Sequence, residues 1–206
     1  MTLKKFFNGF ILLILSVLLS SYHDVPFGKD EKNHFIEPVA SKLSIGMLHH
    51  GGVIFHLDRS GKHGLVVSTE NVGGAKAKYS WGCSGKVIAG ADEVKIGKGM
   101  SNTQTIKSFC DDESFAAQAC IDYTHAGYGD WYLPSLDELE LLSNELGGDS
   151  EFSKLVNFNR GYYFSSSQLK NKKYKGNYAW SINIQDNYAL FSQKSSKHQV
   201  RAIRSF

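Results

Sequence analysis

The sequence predicts one α+β domain, with two helices packed on antiparallel strands and joined by long loops. Three observations carry this. Short runs of β-branched and aromatic residues lie on both sides of a central helical stretch, an order that fits α+β rather than repeated βαβ units. Twenty glycines against three prolines, with 13% aromatic residues, suit a loop-rich, strand-containing chain and not a helical bundle or a disordered one. The stretch GYGDWYLPSLDELELL at 127–142 reads as a rigid turn that delivers a capped helix.

Residues 1–21 read as a secretory leader. Lys4 and Lys5 form a basic start, residues 10–19 are apolar apart from Ser16, and Ser20 and Ser21 are small residues at a plausible cleavage point. The apolar run is short for a membrane span, so no span is expected once the leader is removed. Residues 22–45 are polar and mixed, with Pro26 and Pro38, and read as a flexible tether. No Gly-X-Y period or heptad appears there, so neither a triple helix nor a coiled coil is predicted for it. The folded domain is expected over 46–206.

The domain begins with a hairpin. GVIFHL at 52–57 and GLVVS at 64–68 are strands, and Asp58-Arg59-Ser60-Gly61 supplies turn chemistry. Residues 69–109 read as a long excursion with little regular structure, pinned by Trp81 and Cys83. Asp111 or Asp112 is expected to cap a helix running to about His125, with Phe115, Ala116, Ala119, Cys120 and Tyr123 as its apolar stripe. In the second helix Ser135 and Glu138 sit at capping-box spacing. Leu136, Leu139, Leu142 and Leu146 form one apolar face, and Gly147-Gly148 stops the helix. Strands follow at 162–167, 178–184, 188–193 and 199–206, with a polar basic loop at 170–177. Trp81, Trp131 and Trp180 each sit in an apolar block and read as core.

An exported chain with three cysteines is expected to pair two of them. If a helix fills 111–125, Cys110 and Cys120 stand about 15 Å apart along it and cannot bond. Cys83 then pairs with Cys110 or with Cys120, and both pairings remain open.

The net charge of +3 hides an asymmetry. From Arg160 to Phe206 there are nine Lys and Arg against one acid, Asp186. Residues 22–159 hold twelve Lys and Arg against nineteen acids. The basic end is the sharper clue to a partner.

Several blocks carry a family resemblance: GGVIFHLDRSGKHGLVV at 51–67, WGC at 81–83, IGKGMSNT at 96–103, AAQAC at 116–120, residues 127–142, YYFSSSQ at 162–168, YAWSINI at 178–184 and VRAIRSF at 200–206. In their order and spacing they resemble the C-terminal domain family of the Legionella collagen-like adhesin. The resemblance implies a C-type-lectin-like fold with its chain ends close together. It also implies an exported module and, as in the best-known relative, binding of sulfated polysaccharide or glycosaminoglycan through a basic surface; the residues themselves point to a non-enzymatic role.

The loop Lys170, Lys172, Lys173, Tyr174 and Lys175 is the strongest site candidate. Its ammonium groups suit sulfate or carboxylate of varied geometry, and Tyr174 offers a ring to stack on a sugar. Lys194, Lys197 and Arg201 would extend the patch. Arg201 and Arg204 differ by an odd number of residues, so a regular strand turns them to opposite faces. One of them is then expected to form an ion pair with an acid of the first half. No Glu-Pro-Asn, Gln-Pro-Asp or Trp-Asn-Asp calcium motif occurs, the acidic clusters sit at helix starts, and His49, His50, His56 and His63 read as loop and edge residues, so no metal is expected. Ser165-Ser166-Ser167 lacks a nucleophile elbow, and nothing selects a catalytic carboxylate pair. No cofactor or nucleic acid is implied. Host or cell-surface proteins, met through an apolar surface, are the alternative partners to acidic polysaccharide.

Overall fold

The computed structural model describes residues 42–206. The leader and all but the last residues of the tether lie outside the described residues. Seven strands and three helices follow in order: β1 (Leu48–His49), β2 (Gly52–Leu57), β3 (Gly64–Val67), α1 (Gly99–Phe109), α2 (Ala116–Ile121), α3 (Leu136–Leu146), β4 (Tyr162–Gln168), β5 (Tyr178–Asn183), β6 (Tyr188–Gln193) and β7 (Ile203–Ser205). They form two antiparallel sheets, one ordered β1-β2-β3-β7 and one ordered β4-β5-β6. The α+β class is therefore as the sequence predicts.

The first sheet separates two cores, because its strands are apolar on both faces. Val53, Phe55, Leu65, Val67 and Ile203 face the leucine stripe of α3. Ile54 and Val66 face a second core built around Trp81, Phe115, Phe164 and Trp131. Leu43 and Ile45, from the end of the expected tether, pack against the second core.

Helix α3 forms as its sequence dictates. The Ser135 hydroxyl accepts from the Glu138 N–H, and the Glu138 carboxylate accepts from the Ser135 N–H at 2.8 Å. Its other oxygen accepts from the Gly97 N–H at 2.8 Å, so one buried side chain ties the helix start to the preceding loop. Tyr132 and Ile203 exchange two backbone hydrogen bonds, at 2.9 and 3.0 Å, which fixes the stretch before α3 against β7.

Two expectations are corrected. The helix capped by Asp111 or Asp112 is only the six residues of α2, it begins after Phe115, and it has no side-chain cap. Asp112 instead accepts from the Cys83 N–H at 2.9 Å. Within the excursion at 69–109, an eleven-residue helix, α1, takes the place of irregular chain. Its buried face is largely polar. Asn102 donates to the Glu93 carbonyl at 2.6 Å, and the Thr103 hydroxyl donates to the Gly99 carbonyl at 2.7 Å while its oxygen accepts from the Leu133 N–H at 3.1 Å. A helix that buries hydrogen-bonded polar groups leaves little apolar period to read.

The disulfide joins Cys83 to Cys110, which decides between the two open pairings. Cys120 is a free, fully buried thiol. The bond anchors the loop after Trp81 to the end of α1, and that loop borders the basic segment described next.

Candidate binding surface

The segment after β4 is a tight, well-anchored projection. Asn171 accepts from the Lys173 N–H at 2.9 Å and opens a single 3-10 turn at Lys172–Tyr174. Lys175 closes it in the left-handed region with φ 47°. Gly176 follows at φ 74°, pressed on the backbone of Lys86 and Val87, where any Cβ would collide. The Asn177 carbonyl then accepts from the Lys194 N–H at 2.8 Å. Lys172, Lys173 and Lys175 are exposed on this projection, and none of them forms an ion pair among the described residues.

Lys170 differs. Its ammonium meets Asp92 at 2.8 Å, and that contact holds the Asp92 carboxyl below its ordinary range and raises Lys170. Part of its charge is thus engaged within the protein. Lys197 is exposed on the turn after β6, where His198 pairs with Tyr79.

The structure removes two residues from the predicted patch. Lys194 is fully buried. Its ammonium donates to the Lys86 carbonyl at 2.8 Å and to the Gln168 side-chain oxygen at 2.6 Å, and lies 4.2 Å from the Trp81 ring centroid. Burial lowers its pKa to about 7. Arg201 is also fully buried. It donates to the Ser68 and Asn157 carbonyls at 2.8 and 3.4 Å and stacks 4.3 Å from the Phe158 ring centroid. Both cations stitch the interior, and neither reaches a ligand at the surface. Arg204 takes the ion-pair role foreseen for one of the arginines: Asp130 accepts from it in two hydrogen bonds, at 2.6 and 2.7 Å.

Beside the three free lysines lies an aromatic group that the sequence reading missed. Tyr174 meets Tyr178 with centroids 4.9 Å apart and Phe191 at 5.4 Å, and Trp180 meets Phe191 at 6.1 Å. In the register of β5 and β6, Trp180 stands opposite Phe191, so both project from one face of the second sheet. Phe191 is exposed, Tyr174, Tyr178 and Trp180 are half-buried, and the Lys173 ammonium lies 5.8 Å from the Tyr174 centroid. Trp180 therefore borders this surface, whereas Trp81 and Trp131 are buried core as expected. The alternation of Tyr178, Trp180 and Phe191 was the available signal; their pairing across the hairpin brings them together. Lys86 joins the border through the Gly176 contact, which no sequence period announces.

Three exposed lysines and an aromatic group thus lie side by side on an α+β domain. Residues 69–204 match the family model for the Lcl C-terminal domain. The chain belongs to the Lcl C-terminal domain family. A comparison with curated proteins finds no match. Among the described residues no group of three or more His, Cys, Asp and Glu side chains is placed to hold a metal ion, and no helix is long and apolar enough to cross a membrane.

Proposed function

We propose that this chain is a surface-associated, adhesin-like, non-enzymatic binding module that takes acidic, above all sulfated, polysaccharide on its 170–175 projection. The observation that carries this is the adjacency of three exposed lysines, without ion pairs among the described residues, to the aromatic group of Tyr174, Tyr178 and Phe191. Ammonium groups on a flexible stem meet sulfates of varied spacing, and a ring face receives the C–H face of a sugar. The charge asymmetry of the chain favours the same partner. We further propose a C-type-lectin-like architecture. The meeting of the two ends of the domain supports it, with the His49 and Phe206 rings 4.6 Å apart.

Two features support a non-enzymatic role. The Ser165 and Ser167 hydroxyls donate to the Trp180 and Glu93 carbonyls at 3.1 and 2.7 Å and so serve the fold. Burial raises the Cys120 thiol far above its ordinary range, which makes it a poor nucleophile. A second reading, a protein partner on an apolar surface, draws on the exposure of Tyr188 and Phe191 on the edge strand β6.

Heparin-column retention separates the two. Wild type is expected to be retained at low salt and eluted by a modest salt increase, because exposed charges are screened. The triple variant Lys172→Glu, Lys173→Glu, Lys175→Glu is expected to pass through. Equal retention of both proteins would remove the loop as the site, and retention of neither would favour the protein partner.

A further inference from the structure

We infer that the cleft between the turn after α3 and the start of β4 is a second oxyanion subsite, taking a sulfate or carboxylate group of an acidic sugar. The inference rests on the polysaccharide reading above for the source of the anion, and on the cleft's own chemistry for the anion itself. The cleft has a volume of about 310 Å³ and is lined by Ser153, Lys154, Asn157, Phe158, Arg160 and Gln185. It carries two cations and no acid. Lys154 and Arg160 are exposed, and neither forms an ion pair among the described residues.

The floor adds a third positive charge. Arg201 lies beneath the Phe158 ring and donates to the Asn157 carbonyl, so two lining residues rest on a fully buried guanidinium. Arg201 forms no ion pair among the described residues, and its Nε has no hydrogen-bond partner there. A buried cation with no contact ion pair, offset only by the Glu70 carboxylate beyond ion-pair distance, still favours an anion on the open side of a low-dielectric wall. Gln185 is immobilised, since it accepts from the Gly161 N–H at 3.0 Å and donates to the Asn159 carbonyl at 3.1 Å. The rim is thus held while Lys154 and Arg160 stay free to converge. Arg suits an oxyanion through its paired N–H groups.

The position relates this cleft to the projection. Arg160 precedes the first residue of β4, and the lysine projection follows its last. A seven-residue strand spans about 20 Å, so the two basic sites stand at opposite ends of one sheet. A single extended polyanion can reach both, and linkage of two weak sites raises overall affinity.

The test uses ¹⁵N-labelled protein carrying residues 22–206, titrated at constant ionic strength first with sodium sulfate and then with heparin oligosaccharides of increasing length. Wild type is compared with the double variant Lys154→Ala, Arg160→Ala and with the Lys172→Glu, Lys173→Glu, Lys175→Glu variant. Each amide spectrum reports folding as well as binding. Sulfate alone is expected to give saturable shifts at residues 153–160 and Gln185, weakened about tenfold or more in the double variant and retained in the loop variant. Longer heparin fragments are expected to shift both sites in wild type and to lose affinity in either variant. Absence of sulfate shifts at the cleft, with heparin binding unchanged in the double variant, overturns the subsite and leaves the polysaccharide reading standing. Sulfate shifts at the cleft with no heparin binding anywhere overturn the polysaccharide reading and leave an anion cleft.

Discussion

Glu138 and Lys194 show how single charged residues work here once buried. The Glu138 carboxylate accepts from the backbone N–H groups of Ser135 and Gly97, both at 2.8 Å. Glu138→Ala would leave the buried Ser135 donor unsatisfied and release the Gly97 N–H to solvent, and is expected to cost about 1–3 kcal/mol in urea unfolding. Glu138→Gln keeps an acceptor and is expected to cost about half as much. The spacing from Ser135 announced this cap, but the reach to Gly97 did not, because it joins residues 41 apart. Lys194 is the opposite case. Burial holds its folded-state pKa near 7, below the unfolded value of 10.5, so the unfolded chain binds more protons between those limits. Stability from this group therefore rises with pH from about 7 upward, by no more than about 1.4 kcal/mol per pH unit. Urea midpoints at pH 7 and pH 9 are expected to rise for wild type and to stay level for Lys194→Met.

At the scale of elements, legibility followed pattern strength. The hairpin β2–β3, helix α3 and the hairpin β5–β6 have clear apolar periods and stand where the sequence placed them. Helix α1 has a polar buried face and was read as loop. Helix α2 was read too long because its apolar residues beyond Ile121, such as Tyr123, continue into a turn that packs as if helical. The disulfide is an element-scale device as well. It closes a loop of 27 residues that contains α1 and borders the lysine projection. The paired variant Cys83→Ser, Cys110→Ser is expected to lose about 3 kcal/mol by chemical denaturation. It is also expected to bind heparin more weakly, since the Lys86–Gly176 contact depends on that loop. Unchanged stability would mean that non-covalent contacts suffice to hold the loop, among them the Trp81 indole N–H on the Ser165 carbonyl at 2.8 Å and the Lys194 ammonium on the Lys86 carbonyl at 2.8 Å.

Over the whole molecule, charge is sorted by depth. Of the basic residues in the last quarter of the chain, Lys194 and Arg201 are buried, Arg204 is paired with Asp130, and Lys170 is paired with Asp92. Lys172, Lys173, Lys175, Lys197 and Arg160 remain exposed without ion pairs among the described residues. The usable charge is thus smaller than the sequence count and is gathered at the two ends of the second sheet. Heparin elution is accordingly expected to move to lower salt when either end is neutralised, and furthest when both are.

The sequence by itself determined the α+β class, the main hairpins and the capped helix, because each rests on local periods and on residues three or four apart, and the order and spacing of its motif blocks along the chain pointed to the family. It also marked the lysine projection. Only the tertiary structure decided which cations are free, because burial and pairing depend on neighbours far along the chain. Lys194 meets Lys86 across 108 residues, and Arg201 meets Ser68 across 133. The aromatic rim and the basic cleft were hidden for the same reason: strand pairing and loop packing assemble them from segments that carry no shared local signal.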